Sequence, residues 1–186
     1  MIVFFDTETI GTPDNYRAPM SDSANWPRMV ELAWGISQDG EALEGQHARL
    51  IQPDGWVIPP EAEAIHGITT EDCQIHGMPA SEVLAEILGV TSRAALLVGH
   101  NIEFDLAIVG AELYRIGLGD VADLMAGQLR YCTMRNGVEL CRLPGRYGFK
   151  WPKLNELYRE LFGREPQLAP TGPARTCRQP PSVTLK

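Results

Sequence analysis

Val3-Phe4-Phe5-Asp6-Thr7-Glu8-Thr9 is an apolar run that closes on two carboxylates one residue apart, and its reading decides the fold. The spacing predicts a strand over Ile2–Asp6 with the acids at its end. Residues two apart on a strand point to one face, so Asp6 and Glu8 can aim both carboxylates at one point. Two acids held that close repel unless they share a proton or bind a cation, and hard oxygen ligands suit Mg2+ or Mn2+. For an arbitrary Asp-x-Glu the ordinary reading is a pair of solvated acids on an edge strand. Ile2, Val3, Phe4 and Phe5 argue otherwise, because a continuous apolar run marks an inner strand buried on both faces.

A third acid comes from the stretch Leu96-Leu97-Val98-Gly99-His100-Asn101-Ile102-Glu103-Phe104-Asp105. Ala95–Val98 reads as a second buried strand and Gly99-His100-Asn101 as a turn. From there Ile102, Leu106, Val109, Leu113 and Ile116 recur at helical spacing, which places Asp105 in a helix's first turn. Sites in α/β folds form where a strand ends and a helix begins. Taken alone, Asp105 is an acid satisfying a helix dipole and His100 a hydrogen-bonded turn residue.

The chain has 186 residues, 44% of them hydrophobic, enough for one sizeable core. No apolar run approaches the about 20 residues of a membrane helix, and the amino terminus lacks the basic-then-apolar pattern of a signal peptide. A cytoplasmic protein is therefore expected. Cys73, Cys132, Cys141 and Cys177 form no C-x-x-C, so reduced thiols are expected in place of a zinc site or a disulfide framework.

The net charge of −8 speaks against a protein that grips long duplex by neutralising phosphates. Its distribution says more. Residues 1–129 hold 5 Lys+Arg against 20 Asp+Glu, or −15, and residues 130–186 hold 11 against 4, or +7. In the basic part Arg130, Arg135, Arg142, Arg146, Lys150 and Lys153 fall among Tyr131, Tyr147, Phe149 and Trp151, a mixture suited to single strands. Most such charges in a protein are simply solvated; one or two touching substrate is the expectation.

Further strands are predicted at Met29–Ser37 and Ala48–Gln52, which with Ile2–Asp6 form an antiparallel meander, and a final one at Gln128–Thr133. Helices are predicted at Glu61–His66, from a Ser81 cap with Val83, Leu84, Ile87 and Leu88 inward, over Ile102–Ile116, and from Leu154 to Phe162 with Gly163 as its stop. Arg142–Lys150 reads as glycine-rich loop.

Phe-Asp-Thr-Glu-Thr at 5–9, followed about a hundred residues later by His-Asn-x-x-Phe-Asp at 100–105, resembles the first two motifs of the DEDD 3′–5′ exonuclease superfamily. The nearest branch is that of proofreading subunits and ribonuclease-T-like enzymes, which carries a histidine in its third motif. Ile65-His66-Gly67-Ile68-Thr69 with Glu71 matches a turn common in that branch, and Trp151-Pro152-Lys153-Leu154 resembles its late-helix signature. The resemblance covers residues 1–168 and implies an α/β, ribonuclease-H-like mixed central sheet flanked by helices.

It also implies a two-metal mechanism, with four carboxylates holding Mg2+ or Mn2+ ions roughly 3.5–4 Å apart and a histidine as general base. Asp6, Glu8 and Asp105 match three of the acids, as catalytic and metal-binding residues. Thr7, Thr9, His66, Asn101 and Phe104 fall at substrate-binding positions; His66 is open to a structural role as well. The implied substrate is a single-stranded DNA or RNA 3′ end, and a polymerase partner or self-association is left open, with no membrane.

The third motif, His-x-Ala-x-x-Asp, is absent. Pro170, Pro173, Pro180 and Pro181 forbid a helix where it belongs, and neither a histidine nor an acid follows Glu165. Residues 169–186 therefore read as an aberrant or disordered tail. The genetic code suggests why. Joining each codon's third base to the next codon's first two permits Ala at 169/170, His at 170/171, Arg at 171/172, Ala at 172/173, and Asp at 175/176, five codons after the His. A frameshift near codon 168 is the resulting hypothesis. Two functional readings follow: a metal-dependent exonuclease weakened by the lost motif, or a catalytically dead nucleic-acid-binding or polymerase-associated module.

Overall fold

The computed structural model describes residues 1–166. Its centre is a five-stranded sheet in the order β3-β2-β1-β4-β5, built from β1 (Ile2–Thr9), β2 (Met29–Ser37), β3 (Glu44–Leu50), β4 (Leu96–Gly99) and β5 (Arg130–Cys132). The first three strands form the expected antiparallel meander, and β4 and β5 add in parallel to β1. The sheet is therefore mixed, with the carboxyl ends of β1, β4 and β5 at one edge.

Helices α1 (Pro60–His66), α2 (Thr70–His76) and α3 (Ala80–Thr91) join the meander to β4, and α4 (Ile102–Arg115) and α5 (Gly119–Ala126) join β4 to β5. The chain then runs through short α6 (Thr133–Asn136) and α7 (Val138–Cys141), a hairpin of β6 (Pro144–Gly145) and β7 (Gly148–Phe149), and α8 (Leu154–Phe162). Ten positions of α4, including Ile102, Leu106, Ile108, Val109 and Leu113, are buried. A helix apolar on nearly every face belongs in the middle of a core, and α4 packs beside β1 there.

Several boundaries differ from the sequence expectation. β1 continues to Thr9, so Asp6 and Glu8 lie within the strand, opposite Ala33 and Glu31 of β2. It is an inner strand as expected, yet only Val3, Phe5 and Thr7 are buried on it, while Ile2 and Phe4 on the other face are half-covered. β3 ends at Leu50 rather than Gln52, and β5 is trimmed to Arg130–Cys132. α3 begins at Ala80 behind Pro79, with no side-chain cap; Ser81 lies inside the first turn.

The β6–β7 hairpin stands within the expected Arg142–Lys150 loop, and α2, α5, α6 and α7 lie outside the expected helices. Each is too short to show a periodic pattern, and α2 is set by its ends. Thr69 accepts from the Asp72 N–H while the Asp72 carboxylate accepts from the Thr69 N–H. Cys73, Cys132 and Cys141 are free thiols. Among the described residues no helix is long and apolar enough to cross a membrane. The boundary at 168, the tail 169–186 and the shifted-frame motif lie outside the described residues.

Candidate active site

β1 outruns β4. The parallel pairing ends at Phe4 opposite Val98, and the backbone of β1 beyond it has no β4 partner. The first turn of α4 fills the gap. Asp105 Oδ1 accepts from the Thr7 N–H at 3.0 Å and from the Thr7 hydroxyl at 2.8 Å, across 98 residues of sequence. Gly99 allows the approach, since a Cβ there would stand 3.2 Å from the Phe5 carbonyl oxygen and 3.1 Å from Ile102. Asn101, at φ 75°, ψ 42°, makes the left-handed turn from β4 into α4, a conformation asparagine tolerates better than most residues.

Asp105 is 3% exposed, and burial first and the neighbouring Asp6 second push its carboxyl up to about 8, against the pull of the two Thr7 bonds. Asp6 itself is exposed. These two acids thus feel each other directly, one from β1 and one from α4. Glu8 lies two residues along on the Asp6 side of β1, half-buried and level with Glu31. Among the described residues no group of three or more His, Cys, Asp or Glu is close enough to cage a metal ion.

The remaining expected residues surround this pair. His66 closes α1, is 6% exposed, and accepts the Ile68 N–H on Nδ1 at 3.1 Å, which puts its proton on Nε2. That Nε2 is buried without a hydrogen bond, although the ring lies close enough to the Thr9 carbonyl to be stabilised by it; burial is the larger influence and lowers the ring's pKa. The Ile65–Thr69 turn therefore has a structural logic too: Gly67 at φ 72° ends α1 and Thr69 caps α2. The Thr9 hydroxyl donates to the Gly11 carbonyl at 2.6 Å. Phe104 is half-buried and packs with Tyr16 and Trp26, each at 6.4 Å between ring centroids.

His100 is the hydrogen-bonded turn residue that the sequence suggests, and Glu112 is a group that the sequence reading misses. His100 is fully engaged: Nδ1 meets the Thr133 hydroxyl and Nε2 the Pro152 carbonyl, both at 3.0 Å. Glu112 is 1% exposed and takes the Met29 N–H at 3.0 Å and Arg28 Nε at 2.9 Å, with Arg115 Nη1 at 2.8 Å. Arg28 reaches on to Asp54 and Arg115 to the Ser23 and Trp26 carbonyls, so this cluster fastens the 10–28 loop to α4. Nothing in the helical pattern distinguishes Glu112 from a surface acid, because its partners are distant in sequence.

The RNase_T family model, described as an exonuclease, matches residues 3–162. This chain belongs to that exonuclease family. Its membership places it in the DEDD 3′–5′ exonuclease superfamily. It is 29% identical over 131 residues to 3′-5′ exonuclease DinG of Bacillus subtilis, covering 69% of this chain and 13% of that protein. It is 26% identical over 132 residues to a PolC-type DNA polymerase III of Lacticaseibacillus paracasei, covering 71% and 8%. The chain thus spans only a small part of these relatives. E. coli exonuclease I in complex with a 5cy-dT13 oligonucleotide superimposes with a TM-score of 0.69 at 19% identity, over 89% of this chain and 36% of the other. That likeness fixes the fold as the ribonuclease-H-like one.

Proposed function

We propose that this chain is a metal-dependent 3′–5′ exonuclease domain for single-stranded nucleic-acid ends, and that loss of the third motif leaves it impaired. The observation that carries the reading is the Asp6–Asp105 pair. A carboxyl fixed by the Thr7 N–H and hydroxyl beside a second acid, its ionisation opposed by burial first and by Asp6 second, is a donor pair that a hard divalent cation would relieve, so Asp6 and Asp105 suit Mg2+ or Mn2+. Asp6 and Asp105 would hold it, with Glu8 completing the set once its side chain turns toward them, and when bound it would supply an activated water and charge neutralisation at the scissile phosphate.

The chain's own residues have narrower tasks. Thr7 fixes Asp105 through two hydrogen bonds. His66 keeps its Nε2 proton buried and shapes the end of α1 behind the site, while Thr7, Thr9, Asn101 and Phe104 form the contact surface for a terminal nucleotide. Among the described residues neither His66 nor His100 is placed to act as the general base. His100 has both ring nitrogens occupied and His66 is a donor on the side that is unbonded, so neither replaces the histidine missing from the third motif. Lost general-base catalysis costs about 10²–10⁴-fold.

A frameshift near codon 168 would account for that loss. The PolC-type relatives support a polymerase as partner. A catalytically dead binding module is the second reading, favoured by the missing base. Labelled single-stranded DNA and RNA incubated with Mn2+, Mg2+ or EDTA decide between them: slow metal-dependent shortening from the 3′ end, abolished by Asp6→Ala, is expected, whereas a gel shift with no shortening at any enzyme concentration establishes the binding module.

A further inference from the structure

The sheet edge that carries Asp6 and Asp105 also holds the basic, aromatic part of the chain. Three contacts fasten residues 130–153 there. The Thr133 hydroxyl lies 3.2 Å from the Gly99 carbonyl at the end of β4, His100 Nε2 lies 3.0 Å from the Pro152 carbonyl, and Arg135 pairs at 3.1 Å with Glu103, two residues before Asp105. From this base the β6–β7 hairpin turns through Arg146 and Tyr147.

Tyr147 is 89% exposed, with the Arg146 guanidinium 5.1 Å above its ring, and Phe149 and Trp151 are 50% and 62% exposed. Over residues 140–153 the charges are Arg142, Arg146, Lys150 and Lys153 with no acid. Lys150 is taken by Glu156, whereas Arg142, Arg146 and Lys153 form no ion pair among the described residues. Rings held in water beside unpaired guanidinium groups match a polymer that offers flat bases and phosphates together. Residues 1–129 carry −15, so the basic residues that attract a polyanion are concentrated in the later part of the chain to which this arm belongs.

We propose that the β6–β7 hairpin is a stacking platform for single-stranded nucleic acid, with Tyr147 and Arg146 holding the nucleotides that lie 5′ of the end presented to Asp6 and Asp105. This rests on the exonuclease reading. The hairpin adds length-dependent grip on the strand, separate from recognition of its terminal nucleotide.

Fluorescence anisotropy with the full chain in EDTA tests it, using labelled oligothymidylate, oligouridylate and a dinucleotide as the probe of the terminal site alone. Tyr147→Ala is expected to weaken both long probes by about 5- to 150-fold, the equivalent of the ~1–3 kcal/mol that stacking one base contributes. Tyr147→Phe keeps the ring and the affinity. Arg146→Ala weakens the long probes and flattens their salt dependence. The dinucleotide binds all variants alike, and circular dichroism melts match the wild type because Tyr147 packs on little besides Arg146. Wild-type affinity of Tyr147→Ala for long probes overturns the platform while leaving the exonuclease reading intact, and a dinucleotide loss as large as the long-probe loss overturns its separation from the terminal site. A wild type that binds neither long probe removes the exonuclease reading and the platform with it.

Discussion

Asp105→Asn removes a carboxylate whose ionisation the fold opposes, and its effect on stability can be worked from the site. The asparagine Oδ1 can still accept both Thr7 bonds, so the change is mainly electrostatic. Burial and Asp6 raise the folded-state pKa from 3.8 to about 8. Between those values the folded protein retains a proton that the unfolded chain has released, so wild-type stability falls as pH rises through that window and is level outside it. At about 1.4 kcal/mol per unit the shift sets a ceiling of roughly 6 kcal/mol. The metal-free variant is therefore expected to match the wild type near pH 4 and to exceed it by about 3 kcal/mol near pH 8, after allowing for weaker bonds to a neutral amide. Urea denaturation in EDTA across that range measures the difference. Mn2+ closes the gap by stabilising ionised wild-type Asp105, as a ligand that binds only the native state does. A difference between the two proteins that stays constant from pH 4 to 8 without metal would refute the reasoning.

Glu112→Gln leaves Arg28 and Arg115 without their shared buried anion, and a loss of about 3 kcal/mol is expected, read as a lower urea midpoint at unchanged m; a change under about 0.5 kcal/mol contradicts the clamp between α4 and the 10–28 loop. Substituting the shifted-frame tail, with His encoded across codons 170/171 and Asp across 175/176, is expected to raise Mg2+-dependent release of 3′ nucleotides by about 10² or more. Equal rates from both chains dispose of the frameshift account. Sequencing the gene across codons 165–176 checks the same idea directly.

Much of this molecule was legible locally. Asp6 and Glu8 share a strand face because side chains alternate along β1, and Asp105 falls in the first turn of α4 because Ile102, Leu106, Val109 and Leu113 repeat at helical spacing. The same periodicity marked α8, and the motif order pointed to the family before any fold was drawn. Short elements were not legible: α2 depends on the reciprocal Thr69–Asp72 cap, and α5 follows from packing against α4.

The sequence by itself determined which residues could meet, since periodicity and turn chemistry are properties of neighbours along the chain. Only the tertiary structure decided how they meet: that Asp105 satisfies the Thr7 backbone where β1 outruns β4, that burial beside Asp6 makes it a weak acid, that His100 is occupied on both nitrogens, and that Glu112 is the anion between two arginines. Those facts rest on desolvation and on contacts across as many as 98 residues, and neither is written in the local pattern.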